Sequence, residues 1–179
     1  TLSISFIIYV STDIKQKNLP DLKDVNILIN NAGTQNNQDI DNNLKGTINI
    51  TEKYGIQPNI KAIVNICSTS AHNGAEFPEY CASKGGILSY TKNVASRVAH
   101  FGATCNSISP GGVITELNKH ILENENLWQQ VLNETTLNKW ATAEEIAEWV
   151  YFVAVVNKSM TAQDIIIDNG EISKFNFIW

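Results

Sequence analysis

The chain predicts an α/β fold built on a largely parallel sheet. Three observations carry this: apolar β-branched runs alternate with helix-period stretches along nearly the whole length, every run stops at small or polar residues, and no repeat or low-complexity tract interrupts the alternation. At 179 residues and 43% hydrophobic content the chain suits one domain, 1–179, with a substantial core, and is short for two.

The expected strands are Phe6–Val10, Val25–Asn30, Ala62–Ile66, the weaker Thr104–Ile108, and Asp164–Asp168. They end respectively at Ser11-Thr12-Asp13, Asn31-Ala32-Gly33, Cys67-Ser68, Pro110-Gly111-Gly112 and Asn169-Gly170. Between them, Tyr80–His100 carries Ile87, Leu88, Thr91, Val94, Ala95 and Val98 as a stripe of 3.6-residue period, closed by Phe101-Gly102. Gly85-Gly86 inside this helix cost roughly 1 kcal/mol each relative to Ala, so close packing of another helix on a smooth face is expected there. Thr142-Ala-Glu-Glu145 reads as a capping box opening a helix through Ile146, Val150 and Val153. Residues 115–140 are amphipathic but polar, with Trp128 and Trp140, and read as helices over the sheet edge.

Composition narrows the function classes. Thirteen Lys and Arg against eighteen Asp and Glu give a net charge of −5 with no basic run, which speaks against a nucleic-acid partner or an anionic membrane surface. No stretch approaches the roughly 18 apolar residues of a membrane span, and Thr1–Val10 lacks the basic leader and cleavage site of a signal peptide. A cytoplasmic location is the expectation. Cys67, Cys81 and Cys105 form neither a disulfide framework nor a zinc spacing, and His72, His100 and His120 stand isolated, so no metal site is expected.

In an open parallel sheet, ligands bind outside the carboxyl ends of the strands, which places the site at those small and polar strand ends. Tyr80 and Lys84 lie four residues apart, on one face of one helix. A phenol titrates near 10, so acid/base work near neutrality needs a shift worth roughly 4 kcal/mol. A cation at about 4 Å supplies about 1 kcal/mol in water and about 4 at an effective dielectric near 20, so Lys84 suffices only in a partly dry site. Ser68, at a strand end twelve residues before Tyr80, is placed to donate to a carbonyl oxygen. Tyr-x-x-x-Lys alone is weak, since any helix yields it by chance; joined to Ser68 and Asn30-Asn31-Ala32-Gly33 it is specific.

These residues resemble the short-chain dehydrogenases/reductases. The matching pieces are Asn30-Asn31-Ala32-Gly33, Asn43-Leu-Lys-Gly46, Val64-Asn-Ile-Cys-Ser68, Tyr80-x-x-x-Lys84, Asn106-Ser-Ile-Ser-Pro110-Gly111-Gly-Val113-Ile-Thr115 and Ile165-Ile-Ile-Asp168-Asn-Gly170, in family order. The resemblance implies a Rossmann-like, doubly wound sheet with helices on both faces. It implies an NAD- or NADP-dependent oxidoreductase that interconverts a ketone or aldehyde and an alcohol at a CH–OH group of a small molecule. Tyr80 resembles the acid/base, Lys84 the residue that lowers its pKa and holds the nicotinamide ribose, Ser68 the carbonyl-orienting hydroxyl, and Asn43 the residue holding a relay water. Asp13, Asn31, Ala32 and Gly33 match the adenosine side, and Pro110, Gly111, Val113 and Thr115 the nicotinamide side. Asn30 and Asn31 are equally suited to tying strands together. The resemblance also implies homo-oligomers, dimers or tetramers, with Gly85-Gly86 suited to a symmetry mate.

The sequence departs from the family in two places. The glycine-rich phosphate turn after the family's first strand is absent, with no Gly before Gly33, and Gly33 to Asn43 is about half the family's usual length. The expectation is therefore a sequence that lacks the family's first strands and continues upstream in the natural protein. The alternative is a non-catalytic binding or regulatory protein that has lost cofactor binding. The residue that chooses between NAD and NADP belongs to the missing second strand.

Overall fold

The computed structural model describes residues 13–15, 18–36 and 38–175. Among the described residues four parallel strands form the sheet, in the order β1 (Ile27–Asn30), β2 (Ala62–Ile66), β3 (Thr104–Pro110) and β6 (Asp164–Ile167). Ile27 pairs with Ala62, Ala62 with Thr104, and Ser107 with Asp164. The expected strand Phe6–Val10 lies outside the described residues.

Both faces of the sheet are covered, which is why β2 reads as a continuous apolar run rather than an alternation. On one face Ile63 and Cys105 pack with Val94, Ala95 and Val98 of α3 (Pro78–Val98). On the other, Ala62, Val64 and Ile108 pack with Val153, Ala154 and Val155. Those valines sit in a π-helical stretch, Phe152–Val156, that continues α6 (Ala143–Tyr151). The capping box forms as the sequence predicts: Glu145 N donates to Thr142 Oγ1 at 3.2 Å, and Thr142 N donates to Glu145 Oε2 at 2.9 Å.

Before β2 runs a helix in three pieces: a π-helical stretch Ile40–Lys45, α1 (Gly46–Ile50) and a second π-helical stretch, Thr51–Gly55. Helix α3 begins with Pro78 at its first turn, where the missing N–H costs nothing, and passes through a 3₁₀ turn, Ala99–Phe101. Gly102 then stops it in the left-handed region, φ 71°, a conformation that costs glycine little.

The stretch after β3 leaves the sheet and returns to it. A two-stranded parallel sheet, β4 (Val113–Ile114) with β5 (Ala141–Thr142), closes this excursion at its base. Within it lie a 3₁₀ turn (Glu116–Asn118), α4 (Lys119–Leu122) and α5 (Glu125–Leu132), the last capped by Asn124, whose side chain accepts from Leu127 N at 3.1 Å. Trp128 and Trp140 meet edge to face at 5.3 Å.

Candidate active site

The carboxyl ends of β1, β2 and β3 face a common edge, and the residues singled out from the sequence gather there. β2 ends at Ile66; Cys67 N donates to Ile108 O at 2.7 Å and Thr69 N to Pro110 O at 3.0 Å, extending the β2–β3 pairing through the turn that carries Ser68. α2 (Ser70–Asn73) follows at once. Gly74 closes α2 and Pro78 opens α3, so the chain folds back and delivers Tyr80 to Ser68. The Ser68 hydroxyl beside the phenol pulls the Tyr80 pKa down.

Lys84, one helical turn beyond Tyr80, is buried, with Nζ 5.6 Å from the centre of the Tyr80 ring. The ammonium donates to Ile66 O at 2.9 Å. Asn43 is fully engaged: Oδ1 accepts from Thr34 N at 2.7 Å, and Nδ2 donates to Thr34 O at 2.9 Å and Ser83 Oγ at 3.2 Å. It lies in the Ile40–Lys45 π-helical stretch, an irregularity often found at functional sites. A methyl group at Gly33 would stand 3.2 Å from Asn43 Oδ1 and 3.7 Å from Lys84 Nζ, so Gly33, Asn43 and Lys84 converge on one point.

The electrostatics differ from the sequence expectation. Burial raises the Tyr80 phenol to about 12, Glu76, Cys67 and Asp39 push the same way, and the Ser68 hydroxyl pulls it down. Burial also lowers the Lys84 pKa, against the pull of Cys67 and Asp39. One cause acts on both, because removal from water disfavours phenolate and ammonium alike. The neighbouring Cys67 thiol, donating to Lys84 O at 3.0 Å, is pushed up to about 11 by burial and is no nucleophile.

The remaining expected residues divide. Asn30 ties strands, donating to Asn65 Oδ1 at 2.7 Å and to Thr51 Oγ1 at 2.9 Å. Asn31, Ala32 and Gly33 are exposed beside it. Pro110 is buried at the end of β3, Gly111 and Val113 are half-buried, and Thr115 is exposed at the start of the excursion. Asp13 is exposed, its carboxylate accepting from Lys15 N at 2.9 Å.

Two groups escaped the sequence reading. His72 is not isolated: Nε2 lies 2.9 Å from Asp164 Oδ2, across 92 residues of chain. Glu171 clasps two parts of the site, accepting from Thr69 Oγ1 and from Gly112 N, both at 3.3 Å. An acid opening the apolar strand Asp164-Ile-Ile-Ile167 was the available signal for the first, since a buried carboxylate needs a partner. Among the described residues no cluster of three His, Cys, Asp or Glu could hold a metal.

The fit to a dinucleotide can be judged from the chain itself. A polyol suits an ammonium that has three N–H groups and one carbonyl acceptor, and Gly33 leaves open the space beside it. The described residues thus fit the nicotinamide ribose: Tyr80 and Lys84 would hold its hydroxyls, and Pro110, Gly111, Val113 and Thr115 would flank the ring.

A parallel sheet with helices on both faces and a Ser–Tyr–Lys set at its carboxyl edge defines a dinucleotide-type α/β oxidoreductase fold. Comparison with known proteins makes this specific. Residues 16–171 match the family model described as enoyl-(acyl carrier protein) reductase. A 3-oxoacyl-[acyl-carrier-protein] reductase from Chlamydia pneumoniae is 31% identical over 175 residues, covering 88% of this chain and 70% of its own. The reductase of the same name from Staphylococcus epidermidis is 29% identical over 163 residues, covering 82% and 66%. Among solved structures, gluconate 5-dehydrogenase from Burkholderia cenocepacia J2315, in complex with NADP and tartrate, is 25% identical with a TM-score of 0.77, covering 84% of this chain and 66% of its own. A 4-hydroxyisoleucine dehydrogenase mutant complexed with NADH and succinate is 27% identical with a TM-score of 0.76, covering 84% and 70%. The chain belongs to the short-chain dehydrogenase/reductase family, and it spans about two thirds of the length of the curated relatives it matches.

Proposed function

We propose that the protein is an NAD- or NADP-dependent oxidoreductase that interconverts a ketone or aldehyde and an alcohol on a small-molecule substrate, with one domain carrying the reacting groups. The observation that supports this most directly is the convergence on one phenol ring of the Ser68 hydroxyl, which lowers its pKa, and of Lys84 Nζ, 5.6 Å from the ring centre. The nicotinamide, when bound, supplies or accepts the hydride. Ser68 donates to the substrate oxygen and orients it. Tyr80, held protonated by burial, gives its proton to that oxygen, and the resulting phenolate is stabilised by Lys84. Asn43 supports a proton relay by its place beside Lys84, since its amide is already spent on Thr34 and Ser83.

A phenol raised to about 12 rests as a proton donor, the state that carbonyl reduction uses. We place the enzyme in the cytoplasm; among the described residues no helix is long and apolar enough to cross a membrane. A homo-oligomer, dimer or tetramer, is supported by the apolar side chains Trp149, Phe152 and Val156 that α6 and its continuation leave exposed.

The test is spectrophotometric, with a panel of carbonyls and both reduced nicotinamides. Tyr80→Phe is expected to lower turnover by about 10²–10⁴-fold with the fold intact. A variant turning over at near-native rate, or a wild type inert toward the whole panel, refutes the proposal, the latter in favour of a non-catalytic binding protein.

A further inference from the structure

The turn that carries Ser68 is followed by α2, a single helical turn. A helix this short is not held by its own hydrogen bonds, so tertiary contacts must fix it. The β2–β3 pairing reaches only as far as Thr69 N. Beyond it the amides of Ala71, His72, Asn73 and Gly74 bond back to Ser68, Thr69 and Ser70, within the same turn. His72 ties the body of α2 to the sheet, its Nε2 meeting Asp164 Oδ2 at 2.9 Å and Ser109 Oγ at 3.3 Å, while at the helix start Thr69 Oγ1 donates to Glu171 Oε1 at 3.3 Å.

Asp164 is an unusual partner for an ordinary fold. It opens β6 on the face covered by α3, where parallel strands are normally apolar, and its side chain is only 15% exposed. A carboxylate there is costly unless its oxygens are satisfied. Ser107 Oγ donates to Oδ1 at 2.6 Å and Ser109 Oγ at 3.0 Å, which leaves Oδ2 for His72. Two hydroxyls of β3 therefore stabilise a buried charge whose outward oxygen holds the imidazole. A cavity of about 270 Å³, bounded by His72, Lys92, Gln163 and Asp164, adjoins the pair.

The other end of α2 is coupled to the reacting hydroxyl. Ser70 N donates to Ser68 Oγ at 3.2 Å, and the two serine hydroxyls are 3.0 Å apart. A tilt of α2 thus moves the Ser68 hydroxyl with it, and a displacement of about 1 Å in a reacting group can cost on the order of 10²-fold in rate. We propose that His72, clamped by Asp164, is a positioning residue that holds α2 and so aims the Ser68 hydroxyl at the substrate oxygen. This rests on the reading of Ser68, Tyr80 and Lys84 as the reacting set.

The experiment compares wild type with His72→Ala, His72→Gln, Asp164→Val and the His72→Ala/Asp164→Val double variant, by amide hydrogen exchange and by steady-state turnover. Loss of a hydrogen bond to a charged group should speed exchange at residues 70–74 by roughly ten- to hundredfold, with β2 and β3 unchanged. Turnover should fall roughly tenfold in kcat, with KM for the nicotinamide unchanged. His72→Gln keeps an N–H donor for Asp164 and should recover most of both effects, while the double variant should exchange no faster at 70–74 than His72→Ala. Unchanged exchange in His72→Ala, or His72→Gln behaving like His72→Ala, overturns the clamp. Tyr80→Phe separates the two ideas: it should abolish turnover and leave exchange at 70–74 alone. If wild type turns nothing over, the reacting set is wrong and exchange still decides the clamp.

Discussion

The two adjacent glycines of α3 should respond oppositely to the same substitution. Alanine in a helix interior is favoured over glycine by about 0.8–1.0 kcal/mol. At Gly85 an added methyl group meets nothing within 4 Å, so Gly85→Ala should realise that full gain and raise Tm by about 2–4 °C for a chain of this size. At Gly86 the methyl would lie 2.7 Å from Leu44 Cδ2 and 3.1 Å from Cδ1, so Leu44 must retreat. Overpacking costs about 1–3 kcal/mol, and because Leu44 is half-buried and its contacting atoms end a flexible chain, the lower part of that range applies. The net for Gly86→Ala is a loss of about 0–1 kcal/mol. Leu44 adjoins Asn43, so its retreat disturbs the π-helical stretch beside Lys84, and Gly86→Ala should lower turnover where Gly85→Ala does not. Calorimetry at neutral pH with parallel turnover measurements checks both. Equal stabilisation by the two substitutions would refute the account of Leu44 packing. If Gly85→Ala instead lowers Tm or dissociates an oligomer, the Gly85 face is covered by a second copy and the open-face premise fails.

Two further perturbations test the electrostatics. Glu171 is raised above its ordinary value, chiefly by burial, so it favours the folded state only when protonated; that contribution is present in acid and is lost as pH rises through the raised value. Glu171→Gln should therefore raise Tm at neutral pH and lose that advantage below the ordinary carboxylate range, and a benefit confined to acid pH would contradict the sign. Glu52 behaves conversely: the Arg97 guanidinium, bonding both its oxygens at 2.6 and 2.7 Å, holds it below the usual carboxylate range, with Tyr90 donating at 2.9 Å. Because Arg97 and Glu52 are 38% and 42% exposed, Arg97→Ala should cost no more than about 1 kcal/mol, or about 2–4 °C, at neutral pH. The cost should vanish as pH falls through the lowered Glu52 value, and a loss persisting in strong acid would assign Arg97 a packing role instead.

What could be read from the sequence follows from what is local. The runs Ala62–Ile66 and Asp164–Ile167 declare themselves because buried parallel strands need β-branched residues, and the Thr142–Glu145 box because a cap is a four-residue device. Ser68, Tyr80, Lys84 and Gly33 were legible because strand ends and one helix face suffice to bring them together. The π-helical stretch at Asn43 left no trace, since it changes hydrogen-bond register without changing apolar spacing. Nor did the His72–Asp164 pair, whose members are 92 residues apart and meet only because β6 lies beside β3. The sign of the Tyr80 shift was hidden for a related reason. Motif spacing reveals the cation one turn away but neither the depth of burial nor the Glu76 carboxylate delivered by the loop before α3.

That burial acts twice. In the resting site it penalises each charge singly, raising Tyr80 to about 12 and lowering Lys84. Once the proton has left Tyr80, phenolate and ammonium face each other in the same dry surroundings. There a pair at about 4 Å is worth about 4 kcal/mol rather than about 1 in water. The surroundings that oppose an isolated phenolate thus strengthen the paired one, so whatever Lys84 contributes to the phenolate lowers the Tyr80 pKa against the burial that raises it. Alcohol oxidation, which needs Tyr80 as phenolate, should accelerate with rising pH, and Lys84→Met should displace that limb upward, slowing oxidation at a fixed pH below it by roughly five- to a thousandfold, the span of about 1–4 kcal/mol. Steady-state oxidation rates across alkaline pH measure the displacement. A limb left in place by Lys84→Met would mean that Ser68 alone stabilises the phenolate, and Ser68→Ala should then move it instead.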